Sequence, residues 1–214
     1  MKHISSGIAA LVLFFYAAGP LFAQTATGRL FVEDPLPVRN CTWCHGVNSA
    51  QGFSTAPRLA GQRTQYIEKE IGAFHEHIRD NPNSKKYMWN AVGNLGPSTA
   101  RDLAAYFSAQ PPRAAEDGNR DLVAAGRDIY EQGIAEANIV TCTVCHGPNA
   151  EGIREIPRLG GLSYYYLKRR LEQWNEGYHA AAAPMPQVAS TLSANEIEAL
   201  ASYLSFVDYE SAKP

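Results

Sequence analysis

The chain carries Cys41-Thr42-Trp43-Cys44-His45 and, 101 positions further on, Cys142-Thr143-Val144-Cys145-His146. These two motifs use all four of its cysteines. Several chemistries compete for such a pattern. A disulfide framework admits three pairings of four cysteines but gives no reason for the histidines. A zinc ribbon uses C-x-x-C pairs, yet 97 residues separate Cys44 from Cys142, against the usual ~15–20. A thioredoxin-like redox pair sits beside a βαβ pattern, and no convincing strand is visible. Covalent haem attachment accounts for every residue of the motif. Two thiols add across two vinyl groups as thioethers, and the adjacent histidine falls beneath the iron. Cys41, Cys44, Cys142 and Cys145 are therefore the expected attachment points of two haem c groups. His45 and His146 are the expected proximal ligands.

The motifs sit inside a longer repeat, which must be recognised before the fold is read. CTWCHGVNSAQG from Cys41 matches CTVCHGPNAEG from Cys142. Pro57-Arg58-Leu59-Ala60-Gly61 matches Pro157-Arg158-Leu159-Gly160-Gly161, and Leu103-Ala104-Ala105-Tyr106 matches Leu200-Ala201-Ser202-Tyr203. The two copies cover nearly all the chain after its leader. Ile67, Ile71, Phe74 and Ile78 are spaced 4, 3, 4, an amphipathic helix. Leu167, Leu171 and Trp174 repeat that face. Ile197, Leu200 and Leu204 mark a last helix opened by a capping box at Ser193 and Glu196, with Leu103, Tyr106 and Phe107 as its counterpart. Leu122, Gly126, Ile129 and Tyr130 predict an opening helix for the second copy. The first copy's equivalent, around Gly28 to Phe31, must be short because Pro35 and Pro37 follow. The expected fold is all-α: two tandem domains, each a small helical bundle around its haem.

Domain limits follow from composition. Lys2 and His3, the uncharged run Ile8 to Ala18 and Leu21-Phe22-Ala23 form the pattern of a secretory signal peptide over residues 1–23. The rival reading is an uncleaved anchor, but the apolar run is short for a span of ~20 residues. Residues 24–110 are the first domain. Residues 111–119 carry two prolines and no apolar periodicity, and read as a linker. Residues 120–214 are the second domain. The mature protein is expected to be exported.

One axial position on each iron remains, for Met, His or an open site. Apart from the initiator, the chain has two methionines, Met88 and Met185, one per copy. They lie 43 and 39 residues after the respective histidines. An isolated Met is usually a flexible core filler. Recurrence at matching positions makes these two the expected sixth ligands. His75, His77 and His179 have no counterparts in the other copy and read as surface or helix-edge residues. A ligating histidine usually donates its other N–H to a carbonyl. Pro57 and Pro157, on rigid turns after each motif, are the candidate acceptors. Arg58 and Arg158 are candidates to neutralise haem propionates.

These residues resemble class I c-type cytochromes, specifically the two-haem cytochromes of the c4 type. The resemblance rests on CTWCHG and CTVCHG, PRLAGQ and PRLGGL, the helices bearing Tyr66 and Tyr166, Met88 and Met185, and the LAAYF and LASYL helices. It implies two cytochrome c domains packed face to face, His/Met haems, Tyr66 and Tyr166 in the haem environment, and periplasmic electron transfer to a terminal oxidase. The Tyr87-Met88-Trp89 setting departs from Pro184-Met185-Pro186.

An electron carrier is thus the expected function, with an upstream quinol-oxidising complex or dehydrogenase as donor. The rivals are a dihaem peroxidase-like enzyme, which needs an open or displaceable ligand, and a thiosulfate dehydrogenase, whose cysteine-ligated haem needs a fifth cysteine. A cytochrome subunit of a larger dehydrogenase or oxidase complex is a third reading. Net charge is -2, which argues against a nucleic-acid surface. The charge is uneven: residues 24–112 hold 9 basic and 7 acidic side chains, residues 113–214 hold 9 and 14. Donor and acceptor are expected to dock at different ends.

Overall fold

The apolar spacing of the two copies becomes two similar sets of helices in the computed structural model, which describes residues 36–46 and 52–208. The leader, the segment around Gly28 to Phe31 and part of the first repeat motif lie outside these residues. In the first copy, α1 (Leu36–His45) ends on the C-x-x-C-H motif. Helix α2 (Thr64–His75) buries Ile67, Glu70 and Phe74 on one stripe. A π-helical turn (Ser84–Met88) runs into α3 (Trp89–Val92). Helix α4 (Pro97–Ser108) starts at a proline, which suits the first helical turn, and buries Leu103, Ala104 and Phe107.

The second copy opens with a 3-10 turn (Arg120–Leu122) and α5 (Val123–Gln132). The motif occupies α6 (Thr143–His146), followed by α7 (Tyr164–Asn175), α8 (Met185–Ala189) and α9 (Ala194–Phe206). The capping box forms: Ser193 Oγ accepts from the Glu196 N–H while the Glu196 carboxylate accepts from the Ser193 N–H at 2.7 Å. Helix α2 packs on α4, and α7 and α5 both pack on α9. At the α5–α9 crossing a Cβ on Gly126 would collide with the Ala199 carbonyl, so glycine lets the backbones touch. Among the described residues the only β features are two isolated bridges, Ile134 with Ile139 and Ile153 with Ile156.

Each copy has its own core. Val38, Ile67, Leu103, Ala104 and Phe107 form the first. The second is larger, with Tyr130, Leu162, Leu167, Ile197, Leu200, Tyr203 and Leu204 among its members. The duplication reaches the hydrogen bonds. Gly61 N–H donates to Phe107 O at 2.9 Å, and Gly161 N–H to Leu204 O at 2.8 Å. Both glycines have positive φ, 68° and 75°, which ties the Pro-Arg-Leu turn to the last helix of its copy.

Residues 111–119 form no helix, but they are bound along their length. Arg58 Nη1 donates to the Arg113 and Ala114 carbonyls at 3.1 and 3.3 Å. Glu116 N–H donates to Ser205 O at 2.9 Å. The Asp117 carboxylate accepts from Ser163 Oγ and Tyr164 N–H, both at 2.7 Å. Gly118 and Asn119 donate their N–H groups to Ser205 Oγ and Ser202 Oγ at 3.1 Å each. The segment is a strap laid on α9, and it touches both copies.

The copies are also joined directly. Gln62 Nε2 donates to Arg158 O at 3.0 Å, and its Oε1 accepts from Arg158 N–H at 2.7 Å. Arg158 Nη2 donates to Ala60 O, and Arg63 Nε to Glu151 O, at 2.9 and 2.8 Å.

Candidate haem sites

A C-x-x-C-H at a helix end places its three donor residues on adjacent turns. Cys41 and Cys44 are partly buried on α1, Cys142 caps α6, and Cys145 on α6 is exposed. None of the four is in a disulfide. The residue between them points out instead, with Trp43 and Val144 each more than three-quarters exposed. Burial pushes the Cys41 thiol up, and raises Cys142 to about 11.

The histidines are set identically. His45 Nδ1–H donates to Pro57 O at 2.7 Å, and His146 Nδ1–H donates to Pro157 O at 2.9 Å. A carbonyl can only accept, so Nδ1 carries the proton and Nε2 presents its lone pair. Burial lowers both pKa values, against the opposing pull of the proline carbonyls; the Arg79 charge lowers His45 further. Each ring is thus held neutral, in the tautomer a metal requires. Among the described residues no cluster of three or more His, Cys, Asp or Glu is placed to hold a bare metal ion.

The donor set fits a haem in each half. Two free thiols and one oriented imidazole recur per copy. The buried indole N–H of Trp174 also has no acceptor among the described residues, and a carboxylate of a bound group would supply one.

The methionines are set differently. Met88 is the last residue of the π turn and half-buried. Met185 opens α8 between two prolines and packs against the second core. Arg58 and Arg158 are buried, and both guanidinium groups engage carbonyls of the Pro-Arg-Leu turns and the strap. Arg158 Nη1 also meets Gly160 O.

Tyr66 and Tyr166 meet in a polar cluster between the copies. Arg79 Nη1 pairs with the Glu70 carboxylate, and its Nη2 donates to Tyr166 Oη at 3.2 Å. Burial, then the Glu70 charge, push the Tyr66 hydroxyl far up. His179 belongs to this cluster, which corrects its reading as a surface or helix-edge residue. It is 5% exposed, its Nδ1 accepts from Arg170 Nη2 at 2.6 Å, and its N–H donates to Asp80 of the first copy at 2.8 Å. His75 and His77 are exposed. Tyr130 also has a part that its helical spacing did not reveal. Its carbonyl accepts from the Cys142 N–H at 2.9 Å, and its hydroxyl donates to Gly147 O at 2.6 Å. It holds the second motif at both ends.

A sequence model of the Cytochrome c family matches residues 28–110 and again 123–207. Cytochrome c-552 of Acidithiobacillus ferridurans is 32% identical over 188 residues, 86% of this chain and 80% of that one. The thiosulfate dehydrogenase electron acceptor of Stutzerimonas stutzeri is 30% identical over 94% of this chain and 93% of its own. The solved cytochrome c4 of Acidithiobacillus ferrooxidans superimposes with a TM-score of 0.74 at 32% identity, covering 78% of this chain and 98% of that one. Each copy of the repeat is a cytochrome c domain with one covalently bound haem c, and the chain belongs to the cytochrome c family as a two-haem member of the c4 type.

Proposed function

We propose that this electron-transfer cytochrome is a periplasmic carrier of single electrons, ligated by His45 and Met88 in the first domain and by His146 and Met185 in the second. The observation that carries the reading is the repeated proline-carbonyl grip on His45 and His146, with one methionine per domain. When bound, haem supplies a ferric/ferrous couple. The chain does the rest. Pro57 and Pro157 fix the imidazole rings and raise their basicity through the Nδ1–H bond. The thioether sulfur of Met88 or Met185 would favour the reduced state and raise the potential. With His45 and Met88, or His146 and Met185, as its donors, each haem would have no vacancy for substrate, unlike that of a peroxidase-like enzyme. Arg58 and Arg158, buried in the Pro-Arg-Leu turns, would supply positive charge to the haem propionates. Cys41, Cys44, Cys142 and Cys145 hold the groups covalently, so no ligand is lost on dilution. The domain limits proposed are 24–110 and 120–214, after a leader over 1–23. No helix among the described residues is long and apolar enough to cross a membrane.

The test is the Met-to-iron charge-transfer band of the oxidised protein together with a haem count. Met88→Ala and Met185→Ala should each remove about half of the band. A full band in either variant, or carbon monoxide binding to the native reduced protein, refutes the ligand assignment.

A second reading concerns the donor. The relative from Stutzerimonas stutzeri is named for accepting electrons from thiosulfate dehydrogenase. A thiosulfate-oxidising enzyme is then the donor in place of a quinol-oxidising complex, and a terminal oxidase remains the acceptor. Reduction by purified thiosulfate dehydrogenase with thiosulfate, absent without the enzyme, tests it.

A further inference from the structure

The first domain carries a surface that its partner copy lacks. From Asn81 to Arg101 the chain has Lys85, Lys86 and Arg101 and no acidic residue. The matching stretch of the second domain, Ala180 to Glu198, has no basic residue and carries Glu196 and Glu198. Lys85 and Lys86 lie on the π turn, are exposed, and pair with no carboxylate among the described residues. Their ammonium groups instead lie over aromatic rings, Lys85 5.8 Å from Trp89 and Lys86 5.0 Å from Tyr87. The platform beneath is rigid. Trp89 stacks on His77 at 4.0 Å and donates its indole N–H to Arg79 O at 3.0 Å, and Arg79 is locked in the buried pair with Glu70. Tyr87 is 56% exposed, and Ile78, which its spacing assigns to α2 but which lies past the end of that helix, is 43% exposed. Asp80, the nearest acid upstream, is turned to the His179 N–H.

We infer that Lys85, Lys86, Tyr87 and Trp89 form the docking surface of the first domain for an acidic redox protein, with the partner seated beside Met88. The place beside Met88 rests on the axial-ligand reading above; the surface itself rests on charge and exposure. Two lysines flanked by aromatic rings suit a small protein interface, where aromatics supply contact area and charges steer the encounter. A membrane surface calls for a cluster of about 4–8 basic residues, which this patch does not reach.

The probe is plastocyanin, an acidic blue-copper protein, oxidising the reduced, haem-loaded cytochrome in stopped flow from about 10 to about 300 mM ionic strength. Lys85→Glu/Lys86→Glu should lower the low-salt rate roughly tenfold or more and flatten its salt dependence. Arg127→Glu/Arg154→Glu, the same charge change on the second domain, should leave most of the rate. Equal losses in both variants, or none in the first, overturn the inference. So does loss of binding to phosphatidylserine vesicles with plastocyanin kinetics unchanged, which would assign the patch to a membrane. An intact charge-transfer band in Lys85→Glu/Lys86→Glu shows that the first haem is undisturbed. Failure of the ligand assignment shows separately, as an undiminished band in Met88→Ala.

Discussion

Gln62 is the side chain whose loss should most clearly separate the two domains. It is 3% exposed, and Arg158, which it grips, is 1% exposed. Its Oε1 accepts from the N–H groups of Arg158 and Arg63, at 2.7 and 2.9 Å, and its Nε2 donates to Arg158 O at 3.0 Å. The second copy has Leu162 at the matching position, so Gln62→Leu makes the turns alike while keeping volume. Three hydrogen bonds at about 1 kcal/mol net each give ~3 kcal/mol. Stranding the buried Arg158 N–H and carbonyl moves the cost toward the upper end, because each unsatisfied group costs about 1–3 kcal/mol. For a protein of this size ~3 kcal/mol lowers Tm by roughly 6–12 °C. Guanidinium unfolding should be followed in parallel by the haem absorbance and by far-ultraviolet circular dichroism. The variant should lose that stability, and the two probes should no longer coincide as the domains uncouple. Gln65→Leu, exposed at the start of the adjoining α2, should change stability by less than about 0.5 kcal/mol. A Gln62→Leu loss no larger than the Gln65→Leu loss, with one coincident transition, would refute the clamp.

Glu70→Gln leaves Arg79 as a buried, unpaired charge and should cost roughly 3–5 kcal/mol, whereas Glu70→Leu/Arg79→Met should recover much of it; denaturant midpoints check both. His179 titrates at about 4, lowered first by burial and then by the Arg170 charge. The folded state therefore binds fewer protons than the unfolded state between about pH 6.5 and 4, so stability falls as pH drops through that window, by at most about 3 kcal/mol. Urea unfolding of wild type and His179→Asn across the window should show a shallower slope in the variant, and equal slopes would reject the assignment. Tyr130→Phe removes the hydroxyl on Gly147 O, should cost on the order of 1 kcal/mol, and should perturb the spectrum of the second haem alone. A change shared equally by both haems would count against that local role.

Local and duplicated features could be read from the chain. The C-x-x-C-H motifs, the proline turns, the amphipathic stripes of α2, α7 and α9, and the Ser193–Glu196 cap depend on neighbours within a dozen or so residues, so their spacing carries the geometry. The features that could not be read link residues nearly a hundred apart: Gln62 with Arg158, Asp80 with His179, Arg79 with Tyr166. Repeat logic worked against them. A histidine without a counterpart in the other copy reads as a surface or helix-edge residue, yet a contact between copies needs its donor on one side and its acceptor on the other. His179 was misread for that reason. Tyr130 was legible as a buried helix position, but a hydroxyl's acceptor has no spacing signature. The connecting segment reads only as a linker because it lacks periodicity, although its backbone hydrogen bonds to α9 and its Asp117 side chain give it a fixed course.

That strap has a consequence for how the molecule behaves as a conductor. Two redox domains on a slack tether exchange electrons at the pace of their collisions, which solvent viscosity slows. Here Asp117, Gly118 and Asn119 bind the second domain while Arg113 and Ala114 take the Arg58 guanidinium of the first, so the span between the domains is a built dimension. Transfer inside this protein should be indifferent to glycerol, and residues inserted at 113–119 should slow it by breaking a fixed alignment instead of lengthening a leash.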